Sequence, residues 1–172
     1  MRQSDEDEFD AFAHAQWHRL YRTAYLMVGD HQLAEDLVQV TLTKVYVRWG
    51  RIASMDQPAA FARKVLVNQA TSWWRRKSSS ELPMPVPDRA GTDDPAHVAT
   101  SRSVWNAVLT LPPRQRAVVV LRYYEDLTEA ETADVLGMAV GTVKSHASAA
   151  SRTLATVLRD TGDTEPVRRR SS

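Results

Sequence analysis

The chain has 172 residues, 43% of them hydrophobic and 25% charged, with a formal net charge of +1 and no cysteine. That length fits one medium domain or two small ones, and the composition is that of a folded protein rather than a disordered one. The lack of cysteine excludes disulfide frameworks, thiolate metal sites and thiol nucleophiles. The longest purely aliphatic run, Ala117–Leu121, is far short of the ~18 residues a membrane helix needs, so no membrane insertion is expected. The start is acidic (Asp5, Glu6, Asp7, Glu8, Asp10) and lacks the basic and apolar regions of a secretory signal, which makes a cytoplasmic location the expectation.

The periodicity is helical throughout. Residues 9–28 read as a first helix, with Phe12, Trp17, Leu20, Tyr21, Ala24 and Met27 at mixed three- and four-residue spacing, ended by Gly29–Asp30. A second runs from about Gln32 to Trp49, with Leu33, Leu37, Leu42, Val45, Tyr46 and Trp49 as its apolar face and Glu35, Asp36, Gln39 and Thr43 as a polar stripe. Pro58 opens a third, at a position where a missing amide hydrogen costs little. It runs to about Lys77, with Phe61, Ala62, Val65, Leu66, Ala70 and Trp73 facing inward.

Four of the eight prolines fall within Ser78–Ala99 together with four acidic residues, so this stretch reads as a flexible Pro-rich linker. Beyond it, Val104, Ala107, Val108 and Leu111 mark a short helix stopped by Pro112–Pro113, and another spans Arg114–Tyr124. Thr128 and Glu131 form a capping box that opens a helix ending near Gly137, and a last helix runs from about Val140 to Arg159. The predicted fold is all-α: two small helical domains, 1–77 and 100–159, joined by a linker, 78–99, with a disordered tail, 160–172.

The small net charge hides its segregation. Residues 57–80 hold five basic side chains and no acid, and residues 135–159 hold three plus His146, again without an acid. Two local polyanion contacts would produce this pattern, and so would two solvated helix faces. The last two helices say more. A short helix, a glycine turn and a longer amphipathic helix have the layout of a helix-turn-helix, with Ala133, Gly137 and Val143 at its small-residue, turn and core positions. Val143, Ala147, Ala150 and Leu154 would face the core. Thr142, Ser145, His146, Ala149 and Arg152, with Lys144 on a flank, leave short donors and acceptors for base edges and cations for phosphates. A plain helical hairpin with a wet outer face is the alternative.

On the third helix Lys64, Asn68, Thr71 and Arg75 share one face, with Trp73 and Trp74 at its end and Arg76 and Lys77 following. Cations, an amide and aromatics on one stripe suit a single-stranded nucleic acid, although the spacing of Trp73 also continues the apolar face. The stripe on the second helix is, by spacing alone, solvated surface. His14 and His18 are four apart with no convincing third ligand, so no metal or cofactor is expected, and no nucleophile–base pair or phosphate-binding glycine loop points to an enzyme.

Ala34-Glu35-Asp36-Leu37-Val38-Gln39 followed by Lys44-Val45-Tyr46 resembles the polymerase-binding segment of bacterial RNA polymerase sigma factors. Arg63-Lys64-Val65-Leu66-Val67-Asn68 followed by Trp73-Trp74-Arg75-Arg76 is similar to their promoter-melting segment. Leu111-Pro112-Pro113-Arg114-Gln115-Arg116, Tyr124-Glu125-Asp126-Leu127-Thr128 and Gly141-Thr142-Val143-Lys144-Ser145 resemble their C-terminal helix-turn-helix domain. The order and spacing match the small extracytoplasmic-function group over roughly residues 8–157. The resemblance implies a non-enzymatic factor that binds core RNA polymerase and directs it to promoters. Glu35, Asp36, Leu37, Val38, Gln39 and Thr43 would contact the polymerase. Asn68 would read a flipped base of the −10 element, with Lys64, Thr71, Arg75, Arg76 and Lys77 along that single strand. Thr142, Lys144, Ser145, His146 and Arg152 would meet duplex −35 DNA, and an anti-sigma factor is a further partner it suggests.

Two positions depart from the family pattern: Ala139, where members usually carry a serine cap, and Ala149, near which they commonly carry an arginine. A stand-alone helix-turn-helix regulator and a protein that docks on polymerase to block it are the rival readings. The Lys64–Asn68–Thr71–Arg75 stripe argues against both, because neither needs a single-strand reader.

Overall fold

Asp5 and Glu6 in the first turn of α1 (Gln3–Val28) oppose the partial positive charge of its N-terminus. The helix then runs unbroken to Gly29, which takes a left-handed φ of 73° and donates back to the Tyr25 carbonyl at 2.7 Å. The computed structural model describes residues 3–79 and 98–160. Asp30 starts α2 (His31–Tyr46) by accepting the Leu33 amide on its carboxylate at 2.7 Å. The short link folds α2 back along α1. Phe9 therefore meets Tyr46 and Trp49 edge-on at 4.9 and 5.4 Å, and Phe12 lies 4.9 Å from Trp49.

The expected helix to Trp49 breaks instead after Tyr46. A turn leads into α3 (Trp49–Ile52), and the break carries Trp49 and Ile52 into the core, where both are buried. α4 (Pro58–Ser79) starts at the proline, as its sequence predicts. Its inner face is Ala62, Leu66, Val67, Ala70 and Trp74, so Trp74, rather than the expected Trp73, fills the core. Successive steps of four from Ala62 lead to Trp74, whose indole N–H donates to the Met27 carbonyl at 3.1 Å. Most of the predicted linker, 80–97, and the tail beyond Asp160 lie outside the described residues.

The second half comprises α5 (Val98–Val108), α6 (Pro113–Val119), a π-helical turn (Val120–Tyr124), α7 (Glu129–Leu136) and α8 (Val140–Asp160). The expected single helix from Arg114 to Tyr124 widens at its end, where the Glu125 amide bonds the Val120 carbonyl five residues back. Thr128 and Glu131 form the predicted reciprocal capping box. Those hydrogen bonds, from the Thr128 backbone first and its side chain second, hold the Glu131 carboxyl below its ordinary pKa. Gly137 closes α7 in a left-handed conformation, φ 64° and ψ 37°.

Among the described residues every regular element is helical, and the fold class is all-α as expected. One apolar cluster runs through both halves, from Leu20–Val28 of α1 and Leu66 of α4 to Leu111, Leu121 and Ala150. A smaller one, Val118, Ala133 and Val143 with Met138 and Ala147 against it, sits beneath the α7–α8 turn.

Nothing lies within 4 Å of where a Cβ on Gly137 would stand, so Gly137→Ala carries only the backbone cost of a left-handed L-residue. We expect it to lower unfolding free energy by about 1–2 kcal/mol, read as a fall in Tm of a few degrees.

Candidate nucleic-acid interface

On α2 the residues Glu35, Asp36, Gln39 and Thr43 are exposed. Gln32 donates to the Asp36 carboxylate at 3.2 Å, and the Thr43 hydroxyl to the Gln39 carbonyl at 2.8 Å. Leu37 and Val38, expected on the same contact surface, are 7% and 0% exposed. Both pack into the core and hold the helix in place rather than facing outward. Their places on the outside are taken by Val40 and Val47, 45% and 77% exposed, which fall on one stripe with Asp36, Gln39 and Thr43. The four- and seven-residue steps from Asp36 and Val40 were the signal available for them in the sequence.

On α4, Asn68, Arg75 and Arg76 are exposed. The Thr71 hydroxyl donates to the Val67 and Asn68 carbonyls at 2.9 and 3.1 Å, which leaves its oxygen as an acceptor. Lys77 lies over the Trp73 ring at 4.8 Å, and the two indoles meet edge-on at 5.0 Å. Half-buried Trp73 is thus a partly open aromatic platform beside cations, while Trp74 is structural. Lys64 behaves differently from the rest of its stripe: its ammonium is paired with Asp134 of α7 at 2.9 Å.

On α8, Thr142, Lys144, Ser145 and Arg152 are exposed, and His146 and Ala149 are half-buried. Lys144 reaches Glu129 at 3.7 Å with both side chains open to solvent, a pairing that holds neither firmly. Val143 and Ala150 are fully buried and fix which face of α8 turns outward. Ala139 precedes the first residue of α8 and is exposed, and it has no side-chain acceptor for the free amides of the first turn.

α4 packs against α7 of the second half. Thr71, Trp74, Arg75 and Lys77 line a groove of about 780 Å³ with Arg114, Leu136, Met138 and His146 from the second half, and none of its lining residues is a carboxylate. Behind Met27 and Trp74, which line it, lies Arg116, which is 3% exposed and was absent from the sequence-level candidates. Arg116 donates to the carbonyls of Met27, Leu109 and Leu111 at 3.1, 2.6 and 3.2 Å, and it packs over the Trp74 ring at 5.2 Å. Burial lowers its pKa to about 10, so it remains a cation at neutral pH. Arg19, Arg63 and Glu125 were also missed. They gather across separations of 62 and 106 residues, for which sequence spacing carries no signal.

Comparison with known proteins shows which family the chain belongs to. The family description "Sigma-70 region 2" matches residues 10–80, and "Sigma-70, region 4" matches residues 101–154. An RNA polymerase sigma-E factor of Streptomyces avermitilis is 38% identical over 139 residues, covering 80% of this chain and 78% of that protein. The chain belongs to the extracytoplasmic-function RNA polymerase sigma factors. The ECF RNA polymerase sigma factor SigL of Mycobacterium tuberculosis is 30% identical over 151 residues, covering 84% of this chain and 85% of SigL. A solved structure of the sigma factor RpoE of Bartonella quintana, in complex with the anti-sigma factor NepR, shares the fold. Its TM-score is 0.71 at 23% identity, over 88% of this chain and 97% of that one. As a member of this family the chain is a transcription initiation factor and not an enzyme. No helix among its described residues is long and apolar enough to cross a membrane.

The two tryptophans of this sigma factor separate by substitution. Trp74→Ala, which empties a core position and leaves Arg116 as the side-chain donor to the Met27 carbonyl, should cost about 3–5 kcal/mol in urea unfolding. Trp73→Ala should cost less than half of that.

Proposed function

We propose that the chain binds core RNA polymerase through the outer stripe of α2, reads a melted −10 strand with α4, and holds duplex −35 DNA with α8. The observation that carries this reading is the pairing, on one chain, of two outward faces rich in cations. One presents an exposed amide, Asn68, on the helix that also carries the Trp73 platform. The other presents Thr142, Ser145 and His146, with short side chains or rings that fit base edges. Residues 1–77 form the polymerase-binding and −10 unit, and 100–159 form the −35 unit. The factor works in the cytoplasm, where polymerase and promoters are, and an anti-sigma factor is its third partner. It supplies binding energy for promoter choice and strand separation and makes no covalent bond.

Run-off transcription by core enzyme on a promoter library, with and without the chain, tests the reading. Transcripts that start at a shared sequence only when the chain is added are expected, and their absence would refute it. Asp36→Ala combined with Gln39→Ala should leave the circular dichroism spectrum unchanged, because both residues are exposed. The same change should weaken capture of core polymerase by about 1–2 kcal/mol.

Asn68 is tested separately. Extruding a base costs a few kcal/mol, which must be recovered by contacts formed only after flipping. Asn68→Ala should therefore reduce permanganate reactivity of promoter thymines more than it reduces polymerase occupancy. Arg75→Ala should instead weaken binding across all promoters and flatten the salt dependence.

A further inference from the structure

Residues 75–79, at the end of α4, read Arg-Arg-Lys-Ser-Ser, and the function proposed above uses only their cations. Ser78 and Ser79 are both exposed. Their hydroxyls donate to the Arg75 and Arg76 carbonyls at 3.0 and 2.9 Å, a local bond that a helix end offers to any serine. The two serines differ in what surrounds them. Ser78 has arginines both two and three positions before it, and it lines the groove bordered by Arg75, Lys77, Arg114 and His146. Ser79 has an arginine only three positions before it and is not part of the groove lining.

The groove suits a phosphate carried by Ser78. None of its lining residues is a carboxylate. Among the described residues neither Arg75 nor Arg114 belongs to an ion pair. Arg75 stands three residues before Ser78 and so shares its side of the helix. Arg114 comes from the first turn of α6 and is exposed. A helix C-terminus by itself repels an anion, because its free carbonyls carry partial negative charge. Here two guanidinium forks and the Lys77 ammonium oppose that field, and phosphate oxygens match such forks in geometry.

We propose that Ser78 is a phosphorylation site for a serine kinase that reads the preceding arginines, and that its phosphate docks in the groove on Arg75 and Arg114. Acidic side chains in the peptide cleft of the kinase would pair with Arg75 and Arg76. In the transfer, Ser78 Oγ attacks the γ-phosphorus of ATP. The Oγ–P bond forms as the bond to the β,γ-bridging oxygen breaks, the hydroxyl proton passes to the base of the kinase, and ADP leaves. The added charge of about −1.5 to −2 at neutral pH cancels much of the positive charge of residues 75–77. One consequence rests on the −10 reading of α4 given above: phosphorylation weakens the hold of that helix on a single strand.

The full chain is incubated with ATP and the catalytic subunit of cyclic-AMP-dependent protein kinase, which selects arginine two and three residues before its serine. Intact mass should show one phosphoryl group, and peptide mapping should place it on Ser78. Ser78→Ala should abolish the transfer and Ser79→Ala should keep it. In a phosphorus NMR titration the phosphate, with a second pKa of ~6 when unperturbed, should titrate at least about half a unit lower in the folded chain than in urea. The sign follows from the neighbouring cations, which favour the dianion. Arg114→Ala, at an exposed residue far along the chain, should remove at least about half of that shift.

The phosphorylated chain should bind a single strand of about 20 nucleotides about tenfold more weakly at low salt, with a salt slope flatter by about one to two, since each contact contributes ~0.7. The control Ala11→Glu with Ala15→Glu, two added charges at exposed positions of α1, should lose less than about threefold. No transfer to Ser78, a phosphate that titrates alike in folded and unfolded chain, or a shift indifferent to Arg114→Ala would each overturn the proposal. Unchanged strand affinity beside a shifted titration would instead overturn the role given to α4 and leave the Ser78 site standing.

Discussion

The buried guanidinium of Arg116 is the contact on which the rest of the molecule depends. A helix leaves its last carbonyls without partners, and a buried carbonyl left unpaired costs about 1–3 kcal/mol. Met27, at the end of α1, and Leu109 and Leu111, in the turn that follows α5, face that problem in the same place. Arg116 donates to all three, and Trp74 donates to Met27 as well. A lysine would offer one compact charge where a planar fork is needed. Because one side chain closes two helix ends belonging to different halves and packs over Trp74, it ties α1 and α4 to the segment that leads into α6.

Charge works differently at the rim. Glu125 and Asp134 meet Arg19, Arg63 and Lys64 at the junction, and these pairs are weaker cement than they look. Arg19, Lys64 and Asp134 keep much of their contact with water, and bringing Glu125 out of solvent offsets part of its attraction to the arginines. The apolar cluster and Arg116 hold the halves together, whereas the ion pairs choose which surfaces are covered.

Several details were misplaced by sequence reasoning, each for a local reason. Trp73 and Trp74 are adjacent, and a helix face drifts along its length, so periodicity alone could not choose the one that fills the core. Leu37 and Val38 sit inside the motif that resembles a polymerase-binding segment, but a helix turns about 100° per residue and buries both. The exposed stripe of that motif includes Val40 and Val47 instead. The second helix was drawn too long because Trp49 continues its apolar spacing, although the chain must break there to bring that ring beneath Phe9 and Phe12.

Elements defined by contacts within a few residues could be read from the sequence. These are the Gly29–Asp30 break after α1, the Thr128–Glu131 capping box, the proline start of α4, the turn at Gly137, and the outward faces of α4 and α8. Each depends on backbone geometry and on the 3.6-residue period, which are local properties. The family followed from the same short motifs in their order. Only the tertiary structure brought Arg116 to Met27, Glu125 to Arg19 and Arg63, and Asp134 to Lys64. Those partners lie 89, 106, 62 and 70 residues apart, and whether such side chains meet is decided by how the helices pack, not by any spacing along the chain.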